Sequence, residues 1–192
     1  MKTIIYFLSI FGLIHFFFEG RLVMAYEEPK FTVLEKLGKI EIRNYESYLV
    51  AQAEVNGDRQ SSGTQGFKIL AGYIFGQNEG DHTIAMTAPV VQTETKDRWV
   101  IQFMMPTKYH LENLPKPKNK AVQFKTIPAK KIAAITYSGR WTDANYFEHL
   151  EILKKELEKT KLKPKGEPLW ARYNSPFTPW FLRKNEILIE VE

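Results

Sequence analysis

The sequence contains no cysteine, and this absence excludes several kinds of chemistry at once. A chain without thiols can form no disulfide, no thiolate nucleophile, no CxxC redox pair and no Cys-based zinc site. The folded domain must therefore be stabilised by packing alone. The hydrophobic content of 44% and the aromatic content of 14% are high enough for this, since a chain of 192 residues can bury a proper core.

Histidine is also scarce, with four residues in the whole chain. His82, His110 and His149 follow the amino-terminal segment and are too dispersed to predict a metal cluster. The spacings of a nucleophile elbow, a zinc protease, a P-loop, a dinucleotide-binding loop and an EF-hand are all missing. The sequence therefore predicts a protein that is not an enzyme. Each histidine is best interpreted as a solvated surface residue, and His82, in the polar loop NEGDHT, remains the candidate metal ligand.

Charge of one sign is not concentrated in any part of the chain. Lys and Arg outnumber Asp and Glu only by 27 to 22, and the two signs are interspersed. The lysines of 116–131 lie in a Pro-rich connection and those of 154–165 lie beside glutamates, which indicates a solvated surface rather than a nucleic-acid track. No low-complexity linker divides the chain, so residues 26–192 are predicted to form one domain, expected to be a monomer.

Long apolar runs are missing except at the amino terminus, where TIIYFLSIFGLIHFFF occupies residues 3–18. Val23 and Ala25 then occupy the positions that a signal peptidase inspects. We predict a signal peptide over residues 1–25, and therefore export to the periplasm or out of the cell. The alternative is an uncleaved membrane anchor, although the run is shorter than the about 20 apolar residues that cross a bilayer. Membrane contact is expected only through such a retained segment.

Alternating segments rich in Ile and Val predict strands separated by short polar turns. The predicted strands are 31–45 paired with 48–55, 84–93 paired with 99–105, 121–127 paired with 130–137, and the closing strands 168–174 and 186–191.

Two helices interrupt the strands. Ser62, with Gln65 three residues later, forms a capping-box pattern that predicts the start of the first helix, and Gly76 predicts its end. Thr142 is the predicted N-cap of the second helix, which extends to about Lys159.

The order of strand pair, helix and strand pair occurs twice. The segments YLVAQAEVNG, ending at Gly57, and KKIAAITYSG, ending at Gly139, also match in pattern. We therefore predict an α+β fold of two ββαββ pseudo-repeats that form a distorted antiparallel β-barrel flanked by two helices. A groove between helix and sheet in such a fold is a common place for a small ligand.

One loop has a composition that suits a ligand. The segment PFTPWFLRK, residues 176–184, places Phe177, Trp180 and Phe181 beside two basic residues. Aromatic rings next to fixed cations suit a flat apolar molecule with carboxylate arms. The same loop could equally cover the core and carry two ordinary surface charges, and spacing alone does not separate the two interpretations.

Five stretches of the chain match the pattern of a known family. They are YEEPKFTVLEKLGKIEIRNYE from Tyr26, GFKILAGYIFGQN from Gly66, IAMTAPV from Ile84, FMMPTKY followed by LPKP within 103–117, and RKNEILIEV from Arg183. With these stretches the chain resembles the SOUL haem-binding protein family. Together they extend over nearly all of the chain after the predicted signal peptide, and IAMTAPV followed by a strand and MP is fairly specific.

The resemblance implies a distorted barrel of two ββαββ-type repeats that binds haem or another tetrapyrrole non-covalently and without catalysis, as a carrier, scavenger or sensor. The implied cleft lies between residues 64–76 of the first helix and the loop 176–184. The cofactor-binding residues expected there are Phe67, Leu70, Ala71, Ile74, Phe75, Phe177, Trp180, Phe181, Arg183 and Lys184. His82 is the candidate axial ligand of the haem iron.

Two alternative functions make different demands on the cleft. An effector-sensing or protein-interaction module of a related two-repeat fold, which takes drug-like cations, would need an acidic residue such as Glu41 or Glu54 to point into the cleft. A hydrolase acting on a small ester or strained ring would need an inward-pointing glutamate with a tyrosine nearby.

Overall fold

The structure, a computed structural model, describes residues 26–96 and 98–192. The predicted signal peptide lies outside the described residues. The strands are β1 (Phe31–Leu37), β2 (Ile40–Tyr45), β3 (Tyr48–Val55), β4 (Val90–Glu94), β5 (Trp99–Met104), β6 (Gln123–Ile127), β7 (Lys130–Tyr137), β8 (Pro164–Arg172) and β9 (Asn185–Val191). The helices are α1 (Arg59–Ile74) and α2 (Asp143–Glu158), with a short 3-10 turn at Trp180–Leu182. Neither of these two helices is long and apolar enough to cross a membrane.

All nine strands belong to one curled antiparallel sheet, in the order β1-β2-β7-β9-β8-β4-β5-β3-β6. The predicted α+β fold, a distorted barrel with two helices, is confirmed. The element order ββαββ occurs twice along the chain, and β4 and β8 lie side by side where the two halves meet. The duplication of one unit stays a prediction.

The predicted strand 31–45 is wrong as a single strand, because it turns back on itself. Gly38 has a φ of 56°, a left-handed conformation that glycine adopts at no steric cost, and it lies in the tight turn between β1 and β2. Leu37 and Ile40 face each other across this turn. The alternation of the sequence continues through the turn, so it marks the strands but not their boundary.

Two of the predicted strand pairings are also wrong. The segment 31–45 was predicted to pair with 48–55, yet β2 pairs with β7, as in Ile42 opposite Ala133. The segment 121–127 was predicted to pair with 130–137, yet β6 pairs with β3, as in Phe124 opposite Ala51. Each half of the chain therefore pairs one strand with the other half. Short connections lead from β2 to β3 and from β6 to β7, which are neighbours in sequence but not in the sheet. Local alternation contains no information about such long-range pairing. The predicted pairing of β4 with β5 is confirmed.

The first helix begins four residues earlier than the capping-box pattern indicates. Asp58 is the N-cap, and its carboxylate accepts hydrogen bonds of 2.8 Å from the backbone N–H groups of Gln60 and Ser61. Ser62 is buried instead, and its hydroxyl accepts a hydrogen bond of 3.1 Å from Gln92 Nε2. The predicted cap of α2 is confirmed, since Thr142 Oγ1 accepts from the Asn145 N–H at 3.3 Å.

Both helices pack on the same side of the sheet and leave its centre between them. Helix α1 covers β3 and β5, and α2 covers β7 and β9. The strip formed by β4 and β8 lies between the two covered regions. Arg59 of α1 and Asp143 of α2 bridge the helix amino termini with an ion pair of 2.9 Å. The central strip is therefore the part of the sheet that a ligand could reach between the helices.

Candidate functional site

The central strip contains a cation without a carboxylate partner. Arg172 of β8 donates a hydrogen bond of 2.8 Å to Gln92 Oε1 of β4, and its guanidinium lies 5.6 Å from the ring of Trp141 and 5.9 Å from that of Trp170. Arg172 forms no ion pair with any residue of 26–96 or 98–192. Burial lowers the pKa of Arg172 to about 10. A ligand carboxylate would relieve this poorly solvated charge.

Helix α1 borders Arg172 directly. A Cβ added to Gly63 would lie 3.2 Å from Arg172 Nη2, so the helix backbone approaches the guanidinium closely. Residues four apart share one side of a helix, which places Phe67 and Ala71 after Gly63 along this side. The side chain of Phe67 is 38% exposed, and its ring packs at 5.4 Å against that of Phe103. Phe75, which follows the last turn, is 62% exposed.

Two of the predicted helix contacts do not lie on this side. Leu70 and Ile74 are 0% and 1% exposed, and they pack against Ile101 and Phe103 of the sheet. Both side chains point from the helix into the core. They therefore anchor α1 on the sheet and have no exposed surface that a ligand could contact.

The loop 176–184 presents its aromatic rings to the solvent. Phe177, Trp180 and Phe181 are 95%, 48% and 59% exposed, so the core-covering interpretation is not what the structure shows. Hydrogen bonds to backbone oxygens hold the loop in place. The side-chain Nε of Arg183 donates to Thr178 O at 2.8 Å, and the Gly139 N–H donates to Trp180 O at 3.0 Å. The loop is therefore anchored at its base with an exposed aromatic tip.

Cations surround this loop and connect it to α1. The guanidinium of Arg183 lies 4.3 Å from the ring of Trp141, which also neighbours Arg172, and Arg140 lies 5.6 Å from the ring of Trp180. Among the described residues Arg140, Arg172 and Arg183 form no ion pair, whereas Lys184 pairs with Glu28 at 3.2 Å. We call Arg140, Trp141, Arg172 and the loop 176–184 the basic aromatic surface.

The structure thus joins the predicted helix and loop through residues that the sequence reasoning missed. Gly63, Arg172, Trp141 and Arg183 form a continuous series of contacts from α1 to the loop. Arg172 and Trp141 belong to no recognisable motif. The available signal was the position of Arg172 near the end of a strand that precedes the aromatic loop.

His82 lies beyond the carboxyl end of α1, in a tight loop. Its backbone exchanges hydrogen bonds of 2.9 and 2.8 Å with the side chain of Asn78, and its ring folds back over Gly80. The ring is exposed, and no group of three or more potential metal ligands occurs among the described residues. Axial ligation by His82 stays a prediction.

A concave region, which we call the α2 groove, extends along the other side of the strip. It encloses about 560 Å³ between α2, β8 and the end of β4. Its lining includes Leu150, Leu157 and Trp170, and Glu94 and Glu167 also border it. Glu158, Arg59 and Lys154 line it too, so the α2 groove carries charges of both signs, with carboxylates in excess.

The opposite face of the sheet contains a buried charge cluster. Glu186 is 1% exposed, pairs with both terminal nitrogens of Arg43 at 3.0 Å, and accepts a hydrogen bond of 2.6 Å from the Tyr173 hydroxyl. Burial alone would raise the pKa of Glu186, but the hydrogen bonds and charge of Arg43 outweigh it and lower that pKa. The cavity beside Tyr45 and Tyr173 measures only about 20 Å³. The cluster has the glutamate and tyrosine of the hydrolase alternative, but its geometry is that of a structural ion pair.

The two glutamates named for the effector alternative do not reach the central strip. Glu41 pairs with Lys36 at 3.1 Å and with Arg43 at 2.9 Å. Glu54 pairs with Arg98 at 3.5 Å on the exposed surface.

The comparison with protein-family models identifies nearly the whole described chain. The model of the SOUL heme-binding protein matches residues 26–190. The chain belongs to the SOUL family. The search of curated proteins returned no match. Membership agrees with the resemblance of the motifs, and it supports a tetrapyrrole as the ligand class of this SOUL protein.

Solved structures share the fold of this SOUL protein at low sequence identity. The C-terminal domain of EcmrR is 13% identical with a TM-score of 0.62, and the match covers 80% of this chain and 96% of that domain. A hydrolase from Listeria innocua is 9% identical with a TM-score of 0.58, covering 83% and 94%. An uncharacterized conserved protein from Listeria innocua is 11% identical with a TM-score of 0.61, covering 80% and 92%. At these identities the likeness shows the fold alone.

Proposed function

We propose that this SOUL protein binds haem or a related tetrapyrrole on the basic aromatic surface, non-covalently and without catalysing a reaction. The observation that carries the proposal is Arg172, a half-buried cation without a carboxylate partner among the described residues, linked through Trp141 to an exposed aromatic loop. Family membership supplies the ligand class. A tetrapyrrole such as haem combines a flat apolar body with carboxylate arms, which match these two features.

The charges of the basic aromatic surface and of the α2 groove favour this placement. A ligand with two carboxylates would meet Arg140, Arg172 and Arg183 on the basic aromatic surface, where no carboxylate of the described chain neutralises these cations. In the α2 groove the same ligand would meet Glu94 and Glu167, and the two basic residues there, Arg59 and Lys154, already pair with Asp143 and Glu151. Like charges at an interface are unfavourable, so the basic aromatic surface is the better site.

The apolar contact alone provides only a moderate affinity. Removal of about 400 Å² of macrocycle surface from water yields on the order of 10 kcal/mol at about 25 cal/mol per Å². An association cost of about 4 kcal/mol or more leaves a dissociation constant of at best roughly tens of micromolar. Contacts of the ligand carboxylates with Arg172 and its neighbours would add to this value. Such an affinity suits a carrier, scavenger or sensor, and we propose that the protein acts in this way after export.

A parallel titration with haemin and with metal-free protoporphyrin tests the proposal. We expect a shifted Soret band for haemin and quenching of tryptophan fluorescence by both ligands, because Trp141 and Trp180 belong to the proposed site. Similar affinities for the two ligands would indicate that the iron has no protein ligand. No spectral change and no quenching with either ligand would refute the proposed function.

A further inference from the structure

The α2 groove has its own charge pattern, which the proposed tetrapyrrole site does not use. Glu94, Glu158 and Glu167 line the groove, and none of them belongs to an ion pair within residues 26–96 and 98–192. The basic residues that line the same groove are Arg59 and Lys154. Whether the groove is acidic therefore depends on how these two cations are compensated.

Both cations have partners already. The Arg59 guanidinium pairs with Asp143 at 2.9 Å and lies 4.7 Å from each of the rings of Tyr146 and Phe147. It also lies 4.8 Å from the ring of Trp170, and these ring faces attract a cation. Lys154 pairs with Glu151 at 3.2 Å. The three glutamates outnumber the two cations of the lining and form no ion pair with them, so the lining keeps one formal negative charge. Lys96 and Lys165 lie beside Glu94 and Glu167 where the groove meets the next concavity, and Lys165 pairs with Glu190 at 3.6 Å.

The carboxylates act on the aromatic end of the groove. Burial is the main cause that raises the pKa of Tyr146 to about 12. The positive charge of Arg59 acts against it, and the smaller effects of the negative charges of Glu167 and Glu94 act with it. Both carboxylates therefore lie within electrostatic reach of the Tyr146 ring. The ring of Tyr146 packs at 4.1 Å against that of Trp170, so aromatic surface and negative charge occur together at this end.

The remaining lining is apolar and the volume is sufficient for a small molecule. Leu150, Leu157, Leu162 and Ile189 line the groove, which encloses about 560 Å³. Ligand pockets in proteins typically measure about 300–1,000 Å³ and combine an apolar lining with a few fixed polar groups. Phe147, which borders the groove, is 47% exposed and offers ring surface to an occupant.

We propose that the α2 groove is a second binding site of this protein, for an organic cation with an aromatic or apolar body. The cationic centre lies near Glu94 and Glu167, and the apolar body packs along α2 against Leu150, Leu157 and Trp170. This site adjoins the basic aromatic surface, since Gln92 and Trp170 of its lining neighbour Arg172, and it takes a ligand of the opposite charge.

Two ions of equal shape and opposite charge provide the test. Tetraphenylarsonium and tetraphenylborate are titrated into the full-length protein by calorimetry, and the titrations are repeated with the double variant Glu94→Gln, Glu167→Gln. The control is Glu112→Gln, Glu148→Gln, which removes the same charge from exposed positions outside the groove. A unit charge about 4 Å away in water-like surroundings is worth about fivefold in affinity, so each groove carboxylate is expected to contribute about that factor.

We expect tetraphenylarsonium to bind the wild type more tightly than tetraphenylborate, and to lose at least about fivefold in the groove variant but not in the control variant. Saturation with haemin is expected to leave tetraphenylarsonium binding in place. Equal binding of the two ions to the haemin-saturated protein, whose basic aromatic surface is occupied, would overturn the proposal. So would no measurable binding of the cation, or equal losses in the two variants.

Discussion

Replacing Arg172 by methionine should remove the anchor for a ligand carboxylate while keeping a side chain of similar length. Arg172 is the best candidate for this test because it forms no ion pair with any described residue, and because burial lowers its pKa to about 10. Its one side-chain hydrogen bond goes to Gln92 Oε1. Gln92 Nε2 still donates to Arg59 O at 2.7 Å and to Ser62, so the variant should fold.

The expected magnitude follows from the contact that is lost. A hydrogen bond to a charged group contributes about 1.5–3 kcal/mol, which corresponds to about 10- to 150-fold in the dissociation constant. The dissociation constant of metal-free protoporphyrin should rise by this factor in Arg172→Met. The dimethyl ester of protoporphyrin, which has no carboxylate, should bind the wild type more weakly than the free acid does and should be little affected by the variant.

The assay is a thermodynamic cycle of two proteins and two ligands, measured by quenching of tryptophan fluorescence. For each protein we take the ratio of the dissociation constants of the acid and the ester. The factor by which this ratio changes from wild type to variant measures the coupling between Arg172 and the ligand carboxylates. Arg98→Met is the matched control, because Arg98 is 59% exposed and pairs with Glu54 away from the loop. An acid-to-ester ratio that is the same in Arg172→Met as in the wild type would refute the role of Arg172.

Three further outcomes follow from the buried cluster and from the histidine. Glu186→Gln should lower the free energy of unfolding, measured with urea, by about 3 kcal/mol. The variant leaves the buried charge of Arg43 with the partly exposed Glu41 and the hydroxyl of Tyr45 as its other partners. A loss below about 1 kcal/mol would contradict this. Since the pKa of Glu186 in the folded state lies below its ordinary value of 4.5, the pair stabilises the wild type above that pH and this stabilisation is lost as the pH falls through the lowered pKa. Glu186→Gln should show a smaller loss over the same acid range in a pH series of urea titrations. If haemin binds and metal-free protoporphyrin does not, the iron has a protein ligand, and His82→Ala should then weaken haemin binding; an unaltered haemin spectrum and affinity would exclude His82 as the ligand.

The sequence predicts the elements of this fold better than their partners. Alternation and cap residues depend on neighbours along the chain, which is why both helices and the strands of the second half were predicted close to their observed positions. The pairings of β2 with β7 and of β3 with β6 depend on contacts between the two halves. A residue pattern with a period of two is compatible with any partner strand. These pairings could therefore not be predicted from the sequence around each strand.

The candidate site was predicted in part for the same reason. The exposed rings of Phe177, Trp180 and Phe181 agree with an aromatic loop that was singled out by composition. Leu70 and Ile74 share a helix with Phe67, but only the packing of α1 on the sheet shows which side of the helix is buried. Arg172 is isolated in the sequence, and its importance becomes visible only when Gly63 and Trp141 are placed beside it.

The central claim is that a tetrapyrrole binds between α1 and the loop 176–184, and two matched phenylalanines test it most directly. Phe67 of α1 is 38% exposed, and Phe147 of α2, in the acidic groove, is 47% exposed. The measurement is the dissociation constant of protoporphyrin for Phe67→Ala combined with Phe181→Ala, compared with that for Phe147→Ala. Loss of apolar contact from two rings should weaken binding by about tenfold or more in the first variant and leave the second like the wild type. An unchanged constant in the first variant, or a larger loss in Phe147→Ala, would contradict the account.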